Sequence, residues 1–320
     1  MPSVEELLRE ATSQLREAGS ATPRLDAEVL LAAVLDLDRT RVIAHADAPV
    51  PDGRAAAFRE ALVRRAAGEP VAYIRGLKEF YGLAFSVDRR ALIPRPETEL
   101  LVELAERAIA ERLLVPGRRG AQAPVSVVDI GTGSGAVAVA LAVSLRRRRM
   151  DSNVTILATD ASEDALDLAA ENVVAHAVAD LVRLRRADLV PEEQAPFDLV
   201  VANLPYVRSG AMAALPVATT YEPAAALDGG ADGLAVIGRL LDRLPVILVA
   251  DGQALLEIGG DQGEAIRDAV DRRLGGWRCE VELDLGGLPR VARVERSAAP
   301  MTDDAGAASP RGTPSIGSTR

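Results

Sequence analysis

Residues 125–135 read Val-Ser-Val-Val-Asp-Ile-Gly-Thr-Gly-Ser-Gly, an apolar run followed at once by a glycine-rich turn. The run predicts a strand over 125–130, and the turn opens a helix over about 136–145. A second helix is predicted over about 165–174. Four further strands are predicted over 154–159, 182–186, 199–202 and 254–258. Strands that alternate with helices are typical of an α/β fold, in which crossover helices join parallel strands.

The last two β-like runs, over 279–285 and 290–294, are joined through Gly286 and Gly287. A link this short cannot hold the crossover that parallel neighbours require, so these strands must pair antiparallel if they are neighbours. We therefore expect a mixed sheet with one reversed strand at or near an edge.

Four parts follow one another along the chain in this interpretation. They are a helical domain over 1–72, a hairpin linker over 73–90, the α/β domain over 91–296 and a disordered tail over 297–320. The first helix begins at a capping box of Ser3 and Glu6, and the linker has an aromatic, β-like pattern broken by Gly76 and Gly82. The tail has almost no large apolar side chain to anchor it.

The composition fits a globular enzyme from a reducing compartment. The chain has 320 residues, 48% of them hydrophobic, and a formal net charge of -10. That charge argues against non-specific attraction to nucleic acid, which depends on clustered Lys and Arg. The single cysteine, Cys279, rules out an internal disulfide framework, and His45 and His176 are too few for a multi-histidine metal site. We expect no metal.

The N-terminus is acidic where a signal or transit peptide would be basic. No apolar stretch reaches the ~20 residues that a membrane helix needs, so we expect a soluble, cytoplasmic protein with no membrane partner. The run Arg146-Arg147-Arg148-Arg149 follows an apolar helical stretch. We interpret it as a solvated helix end favoured by the macrodipole, with a basic docking patch as the alternative.

Acidic residues follow the predicted strands at the same end as the glycine-rich turn. Asp160 ends the second strand, where its carboxylate can accept two ribose hydroxyls, and Asp188 follows the third, where it can receive an adenine amino group. Together with the turn Gly131–Gly135, these acids indicate an adenosine-type cofactor. The turn alone also fits the permissive dinucleotide fingerprint, but it lacks the spacing of a serine hydrolase nucleophile elbow.

The tetrapeptide Asn203-Leu204-Pro205-Tyr206 comes directly after the apolar run 197–202. A planar NH2 group can be held by carbonyl acceptors for its two protons while an aromatic ring packs on its flat face. Asn203 and Tyr206 could supply both functions. The alternative is an ordinary strand-to-turn exit, because Asn and Pro are common turn residues.

With these motifs the chain resembles the class I S-adenosylmethionine methyltransferases and, more narrowly, the release factor glutamine methyltransferase family. The resemblance spans about residues 22–296. It is carried by segments 68–74, 80–83, 92–99, 131–135, 203–206, 222–234, 257–259 and 262–263, of which 94–99 and 222–234 are the most specific. It implies a Rossmann-like, seven-stranded mixed sheet behind a helical N-terminal domain.

The resemblance also implies roles for individual residues. Those lining the S-adenosylmethionine cofactor would be Gly131, Thr132, Gly133, Ser134 and Gly135, with Asp160 at its ribose and Asp188 and Leu189 by its adenine. Asn203, Leu204, Pro205 and Tyr206 would grip the substrate glutamine, with Asn203 also close to the methyl donor. That substrate is the glutamine amide in the Gly-Gly-Gln loop of class 1 peptide-chain release factors. The helical domain would recognise this protein partner, and we expect the enzyme to act as a monomer.

Two positions depart from the family pattern. Leu204 stands where the family usually has proline, and Asn-Leu-Pro-Tyr is also found in enzymes that resemble ribosomal RNA adenine dimethyltransferases. Leu189 stands where an aromatic residue often follows the acid. Three alternatives therefore remain: an adenine amino-group methyltransferase acting on RNA or DNA, a nicotinamide-dependent dehydrogenase, and a catalytically silent cofactor-binding or scaffold protein.

Overall fold

The structure, a computed structural model, describes residues 1–114, 124–191 and 196–297. Its N-terminal part is helical, as expected. The helices are α1 (Val4–Glu17), α2 (Pro23–Leu35), α3 (Arg39–Ala44), α4 (Asp52–Ala66) and α5 (Val71–Arg75).

The predicted capping box is confirmed at the start of α1. The Glu6 backbone N–H donates to the Ser3 hydroxyl at 3.2 Å, and the Ser3 backbone N–H donates to Glu6 Oε2 at 2.8 Å. Apolar side chains on α1, α2 and α4 form a core of their own, with Leu8, Leu31 and Phe58 fully buried. The helical part therefore has its own hydrophobic core, separate from the sheet.

A β-hairpin follows the helices. Strands β1 (Leu77–Phe80) and β2 (Leu83–Ser86) pair antiparallel around Tyr81 and Gly82. The φ angles of these two residues are +51° and +67°, as a two-residue type I′ turn requires.

The β-like segment starts later than the sequence pattern indicates. Tyr73 lies in α5, and the first strand begins only at Leu77. Val71 and Ile74 are three residues apart, so they share one helical face and pack together against the helical core. This packing favours a helix over the strand that the aromatic pattern suggested.

The remaining part is a sheet with helices on both faces. The strands are β3 (Val125–Ile130), β4 (Val154–Asp160), β5 (Val182–Arg186), β6 (Phe197–Ala202), β7 (Leu248–Glu257), β8 (Trp277–Leu283) and β9 (Pro289–Arg296). The helices are α6 (Glu99–Leu114), α7 (Ala136–Arg147), α8 (Glu163–Ala175), α9 (Ala235–Ile247) and α10 (Gly263–Arg273).

The seven strands lie in the order β5-β4-β3-β6-β7-β9-β8. Neighbours from β5 to β7 pair parallel, whereas β9 runs antiparallel to both β7 and β8. This confirms the expected mixed sheet, with the reversed strand next to an edge. The chain moves from β3 outward to β5 and then crosses back to β6 on the other side of β3. Ligands of such sheets bind at the carboxyl ends of the strands at this switch point.

Strand β6 shows how the sheet is covered on both faces. All six of its residues are buried. Leu199 and Val201 join the core on the side of α6 and α7, while Val200 and Ala202 join the core on the side of α9 and α10. Coverage on both faces explains why this strand reads as a nearly continuous apolar run.

Two arginines of the run at the end of α7 form ion pairs with neighbouring acids. Arg146 bonds to Asp151 and Asp180, and Arg148 pairs with the buried carboxylate of Glu106 at 3.2 Å. These pairs favour the helix-end interpretation over a free docking patch.

No helix in the described ranges is long and apolar enough to cross a membrane. The disordered tail was expected over 297–320, and its residues 298–320 lie outside the described part of the chain.

Candidate active site

The glycine-rich turn after β3 has a backbone that glycine adopts most readily. The φ angles of Gly131 and Gly133 are +71° and +56°, in the left-handed region. Gly131 also packs against the exit of β6, because a Cβ atom on it would lie 2.9 Å from Leu204 Cδ2. The N–H groups of Gly131 and Thr132 both donate to the Thr159 carbonyl at 2.9 Å, which ties the turn to β4.

Ser134 and Gly135 complete the turn and lead into α7. The Ser134 carbonyl accepts a hydrogen bond from Asn172 Nδ2 at 2.9 Å, and the same side chain bonds to Ser86 in the hairpin. Asn172 therefore fixes the turn against the hairpin. The Gly135 N–H donates to the Thr132 carbonyl at 2.8 Å.

Asp160 sits at the end of β4 with its carboxylate next to the turn. Its Oδ2 atom accepts the Gly133 N–H and its Oδ1 atom accepts the Ser162 N–H, each at 2.9 Å. A carboxylate offers about four lone-pair directions. Asp160 can therefore brace the turn and still accept two hydroxyl groups from a ligand.

Asp129 is buried beneath the same turn. Burial raises the pKa of its carboxyl to about 6, against the hydrogen bonds from the Thr132 hydroxyl and the Ala138 backbone, which lower it. The Thr132 hydroxyl donates to Asp129 Oδ2 at 2.6 Å. Asp129 thus fixes the shape of the turn.

The segment after β5 contains Asp188 and Leu189. The exposed Asp188 carboxylate forms an ion pair with Arg239 on α9. Leu189 has a φ angle of +69°, and its carbonyl accepts the Thr159 hydroxyl at 2.6 Å. The hydrogen bond from Thr159 holds this left-handed conformation, which is unusual for a leucine.

These loops surround a cavity of about 330 Å³ at the carboxyl ends of β3 to β6. That volume is in the range of small-molecule sites, ~300–1,000 Å³. Of the candidate residues, the wall includes Gly131, Thr132, Gly133, Ser134, Asp160, Asp188, Leu189, Asn203, Leu204 and Pro205. Gly135 and Tyr206 lie outside the wall that the described residues form. The glycine-rich turn and the start of the tetrapeptide therefore share one space, as the sequence argument requires.

Asn203 is the first residue after β6. Its Nδ2 atom donates to the Thr98 hydroxyl oxygen at 3.1 Å, and its Oδ1 atom has no hydrogen bond from the described residues. Leu204 is buried against Gly131. The structure thus presents an amide oxygen beside the glycine-rich turn.

Tyr206 is half-buried behind this wall. Its hydroxyl donates to Glu257 Oε1 at 3.3 Å, and burial raises the pKa of the phenol to about 12. The ring is therefore neutral at physiological pH and anchored at its hydroxyl.

Glu257 ends β7 and is almost completely buried, with 1% of its surface exposed. Burial raises the pKa of its carboxyl to about 7, whereas Thr98, Arg290 and the Tyr206 hydroxyl lower it. Its Oε2 atom has no hydrogen-bond partner among the described residues.

The segment 222–234 supports the tetrapeptide from the outside. The Val207 N–H donates to the Leu227 carbonyl at 3.0 Å, and the Gly229 N–H donates to the Val207 carbonyl at 2.8 Å. Gly229 packs directly on the backbone of Pro205 and Tyr206. The backbone of the tetrapeptide is therefore held on two sides, by Gly131 and by Gly229.

A partly buried ion pair ties this segment to the residues that precede α6. Glu222 pairs with Arg95 at 2.5 Å, and its second oxygen accepts the Ile93 N–H at 3.2 Å. Only 1% of the Glu222 side chain is exposed. The pair joins the two segments that were most specific to the resemblance.

Sequence reasoning missed Thr98, Glu222 and Glu257 as site residues. The argument that indicated Asp160 also applies to Glu257, since Glu257 is an acid at the carboxyl end of a parallel strand. For Thr98 and Glu222 there was no signal beyond their membership of the resembling segments.

Two family models match the chain. One, described as the PrmC N-terminal domain, covers residues 6–76, and the other, described as the methyltransferase small domain, covers residues 109–231. Similar proteins include the release factor glutamine methyltransferase of Moorella thermoacetica, which is 39% identical over 90% of this chain and 96% of its own. The protein of the same name from Salmonella typhimurium is 38% identical over 89% of this chain and 95% of its own.

Among solved structures, the hMettl16 catalytic domain in complex with a MAT2A 3′UTR hairpin aligns with a TM-score of 0.52. It is 15% identical, and the alignment covers 78% of this chain and 83% of that chain. The likeness shows a shared fold alone.

Proposed function

The chain belongs to the release factor glutamine methyltransferase family, and from this premise we propose that it methylates the side-chain amide nitrogen of a glutamine with S-adenosylmethionine. The glutamine is that of the Gly-Gly-Gln motif in class 1 peptide-chain release factors. The observation that carries the proposal is that Gly133 and Asn203 line one cavity. A cofactor turn and an amide-binding group can then act on the same space.

The residues around the cavity fit S-adenosylmethionine. The turn Gly131–Gly135 provides close backbone approach, and Asp160 has acceptor capacity left for the ribose hydroxyls. Leu189 offers an aliphatic face to the adenine, and Asp188 can accept the adenine amino group if it shares its carboxylate with Arg239. When bound, the cofactor supplies an electrophilic methyl carbon on its sulfonium.

Asn203 and Leu204 hold the substrate amide in this proposal. An amide nitrogen is a poor nucleophile because its lone pair is delocalised into the carbonyl, so the site must weaken that conjugation and aim the nitrogen. Asn203 Oδ1 and the backbone carbonyl of Leu204 accept the two amide protons. Pro205 stiffens the loop that presents them. Positioning of this kind contributes as much as ~7–11 kcal/mol.

The Tyr206 ring, which follows the wall residue Pro205, packs on the plane of the amide where the substrate enters and excludes water. Its hydroxyl bond to Glu257 fixes the ring for this task. A strong base is not required, because the N-methylated amide cation is acidic enough to lose its proton to water.

The helical part recognises the rest of the release factor. Its support in the structure is a contact next to segment 222–234: the Tyr221 hydroxyl donates to the Ala67 carbonyl at 2.9 Å. The Arg89 guanidinium lies 4.8 Å from the centre of the Tyr221 ring. These contacts fix the position of a protein bound to the helices relative to Asn203. We also propose that the enzyme acts as a monomer in the cytoplasm and has no nucleic-acid substrate.

The decisive test incubates the purified protein with methyl-labelled S-adenosylmethionine and a class 1 release factor, followed by peptide mass mapping. We expect one methyl group on the glutamine of the Gly-Gly-Gln motif. A release factor with this glutamine changed to alanine is the control for the site. Label on RNA adenine and none on the release factor would reverse the assignment in favour of an adenine methyltransferase.

Asn203→Ala tests the amide-binding group. We expect turnover to fall by about a hundredfold or more, while the cofactor dissociation constant changes only a few fold. Asn153→Ala, in a 3-10 turn before β4, is the matched control. Calorimetry with S-adenosylmethionine and with a nicotinamide dinucleotide separates the methyltransferase from a dehydrogenase. Binding without turnover on any substrate would indicate a silent scaffold.

A further inference from the structure

The Asn203 amide must face the substrate with its oxygen and not its NH2 group. Both ends of an asparagine amide have nearly the same shape, so its hydrogen-bond partners decide the orientation. The partner in the structure is the Thr98 hydroxyl, which accepts from Asn203 Nδ2 at 3.1 Å. Thr98 is 3% exposed, so water has little access to this bond.

A threonine hydroxyl has a single proton and can turn either way. It accepts from Asn203 without competition only if its own proton is donated elsewhere. The group beside Thr98 that can take this proton is the Glu257 carboxylate, whose pKa Thr98 lowers. Its Oε2 atom is buried and has no hydrogen bond from the described residues. A buried acceptor that lacks a donor is unfavourable, which favours donation by Thr98 through a small rotation.

We propose that Glu257, acting through Thr98, fixes the Asn203 amide with its oxygen toward the substrate. This inference rests on the proposed function of Asn203, and Glu257 and Thr98 are its positioning residues. An ionised carboxylate only accepts, so Thr98 and Tyr206 both donate to it. The Thr98 oxygen then accepts from Nδ2, and Oδ1 is left for the substrate amide.

Protonation of Glu257 reverses this chain of hydrogen bonds. A protonated carboxyl can donate to Thr98, whose own proton is then free to bond Asn203 Oδ1. The amide would turn and present its NH2 group to the substrate NH2 group, so that donor faces donor. This arrangement cannot hold the glutamine.

Among the described residues, charged or titratable groups from three elements face the Glu257 carboxyl. Arg290 on β9 and the Tyr206 hydroxyl after β6 favour its ionised form, while Glu97 in the turn before α6 disfavours it. Burial outweighs these influences and raises the pKa to about 7. Turnover at saturating substrate should therefore decline as the pH falls below about 7.

The test compares Thr98→Val with Thr98→Ser. Valine has the shape of threonine without its hydroxyl, so we expect kcat to fall by about tenfold to a hundredfold, with the cofactor KM unchanged within about twofold. Serine restores the hydroxyl and should keep kcat within about threefold. Thr12→Val, whose hydroxyl donates to the Leu8 carbonyl within α1, is the matched control. A Thr98→Val enzyme with the wild-type kcat would overturn the proposal.

Glu257→Gln provides a second readout, because it removes the ionisation. We expect the decline of kcat below pH 7 to disappear in this variant and to persist in Glu10→Gln, which changes an exposed residue of α1. A kcat that still declines below pH 7 in Glu257→Gln contradicts the proposed role of Glu257.

A third measurement does not need turnover. In 15N-labelled protein, exchange of the Asn203 side-chain amide protons with water should be slowed at pH 8 and become fast in Thr98→Val. Equal exchange in both proteins would refute the orientation by Thr98. If Thr98→Val speeds this exchange but no release factor is methylated, the proposed function fails, whereas the orientation of Asn203 by Thr98 stands.

Discussion

Gly229→Ala is the sharpest steric test of how the tetrapeptide is held. The φ angle of Gly229 lies outside the left-handed region, so alanine can adopt its backbone without strain. The added Cβ atom would lie 2.7 Å from the Pro205 carbonyl oxygen and 2.8 Å from Tyr206 Cα. It would also lie 2.6 Å from the Gly233 carbonyl oxygen. All three are backbone atoms, which cannot rotate out of the way.

The distances set the size of the effect. Ordinary contact begins at 3.4 Å, so the Pro205 and Tyr206 backbone must move by about 0.6–0.7 Å. A displacement near 1 Å at a reacting group costs up to ~100-fold in rate, and overpacking costs about 1–3 kcal/mol of stability. We expect kcat for release factor methylation to fall by roughly tenfold to a hundredfold. The cofactor dissociation constant should change by less than about threefold, because none of the three atoms that the new Cβ atom meets belongs to the turn after β3.

The assay measures initial rates at saturating substrate, with calorimetry for the cofactor and thermal unfolding for the fold. Gly53→Ala is the matched control, because a Cβ atom there meets nothing within 4 Å and the residue lies in the first turn of α4. A Gly229→Ala enzyme with the wild-type kcat would refute the claim that segment 222–234 positions the tetrapeptide.

Three further variants test the cofactor side and the fold. Asp160→Asn should weaken S-adenosylmethionine binding by about tenfold or more with little change in saturated kcat, because hydrogen bonds to a charged group contribute about 1.5–3 kcal/mol; an unchanged dissociation constant by calorimetry removes the ribose assignment. Burial raises the pKa of Asp129 from 3.8 to about 6, so the folded state binds this proton more tightly and stability is lost as pH rises through that window. Asp129→Asn should therefore gain about 2 kcal/mol relative to wild type between pH 4 and pH 7 in denaturant unfolding, and a constant difference would contradict the shift. Ser3→Ala should lower the free energy of unfolding of the helical part by about 1 kcal/mol, measured against Ser13→Ala on the same helix.

The geometry of the strand ends was largely predictable from the sequence. In a parallel sheet the carboxyl ends of the strands meet at one edge. Asp160 and Asn203 each follow an apolar run, so their meeting with the glycine-rich turn followed once the strands were assigned. The short link at Gly286 and Gly287 likewise predicted the antiparallel pairing of β8 and β9.

The extent of β7 was not predictable in the same way. The sequence predicted a strand only from residue 254, whereas β7 begins at Leu248. Asp251 and Gly252 interrupt the apolar pattern there, and the register with β6 shifts between Phe197 and Leu199. Such a bulge depends on the partner strand, so a single-strand pattern carries no sign of it.

The contacts behind the tetrapeptide depend on tertiary packing. Thr98 and Asn203 are 105 residues apart in sequence, and Arg95 and Glu222 are 127 apart. Neither pair has a local spacing that would reveal it. Glu257 is different, because the rule that acids at strand ends meet the ligand edge applies to it as well. It differs from Asp160 in being buried, which turns it from a candidate ligand into a candidate positioning residue.

Leu204 shows why a departure from the family pattern need not change the chemistry. The role proposed for position 204 belongs to its backbone carbonyl, which leucine supplies as well as the usual proline does. A leucine loses the fixed φ angle of proline, but its side chain is 5% exposed and its Cδ2 atom packs against Gly131. Packing against the glycine-rich turn offsets the loss of the proline ring. The same contact joins the turn after β3 to the tetrapeptide, so a ligand that orders this turn should also order the Leu204 carbonyl, which we propose holds the glutamine.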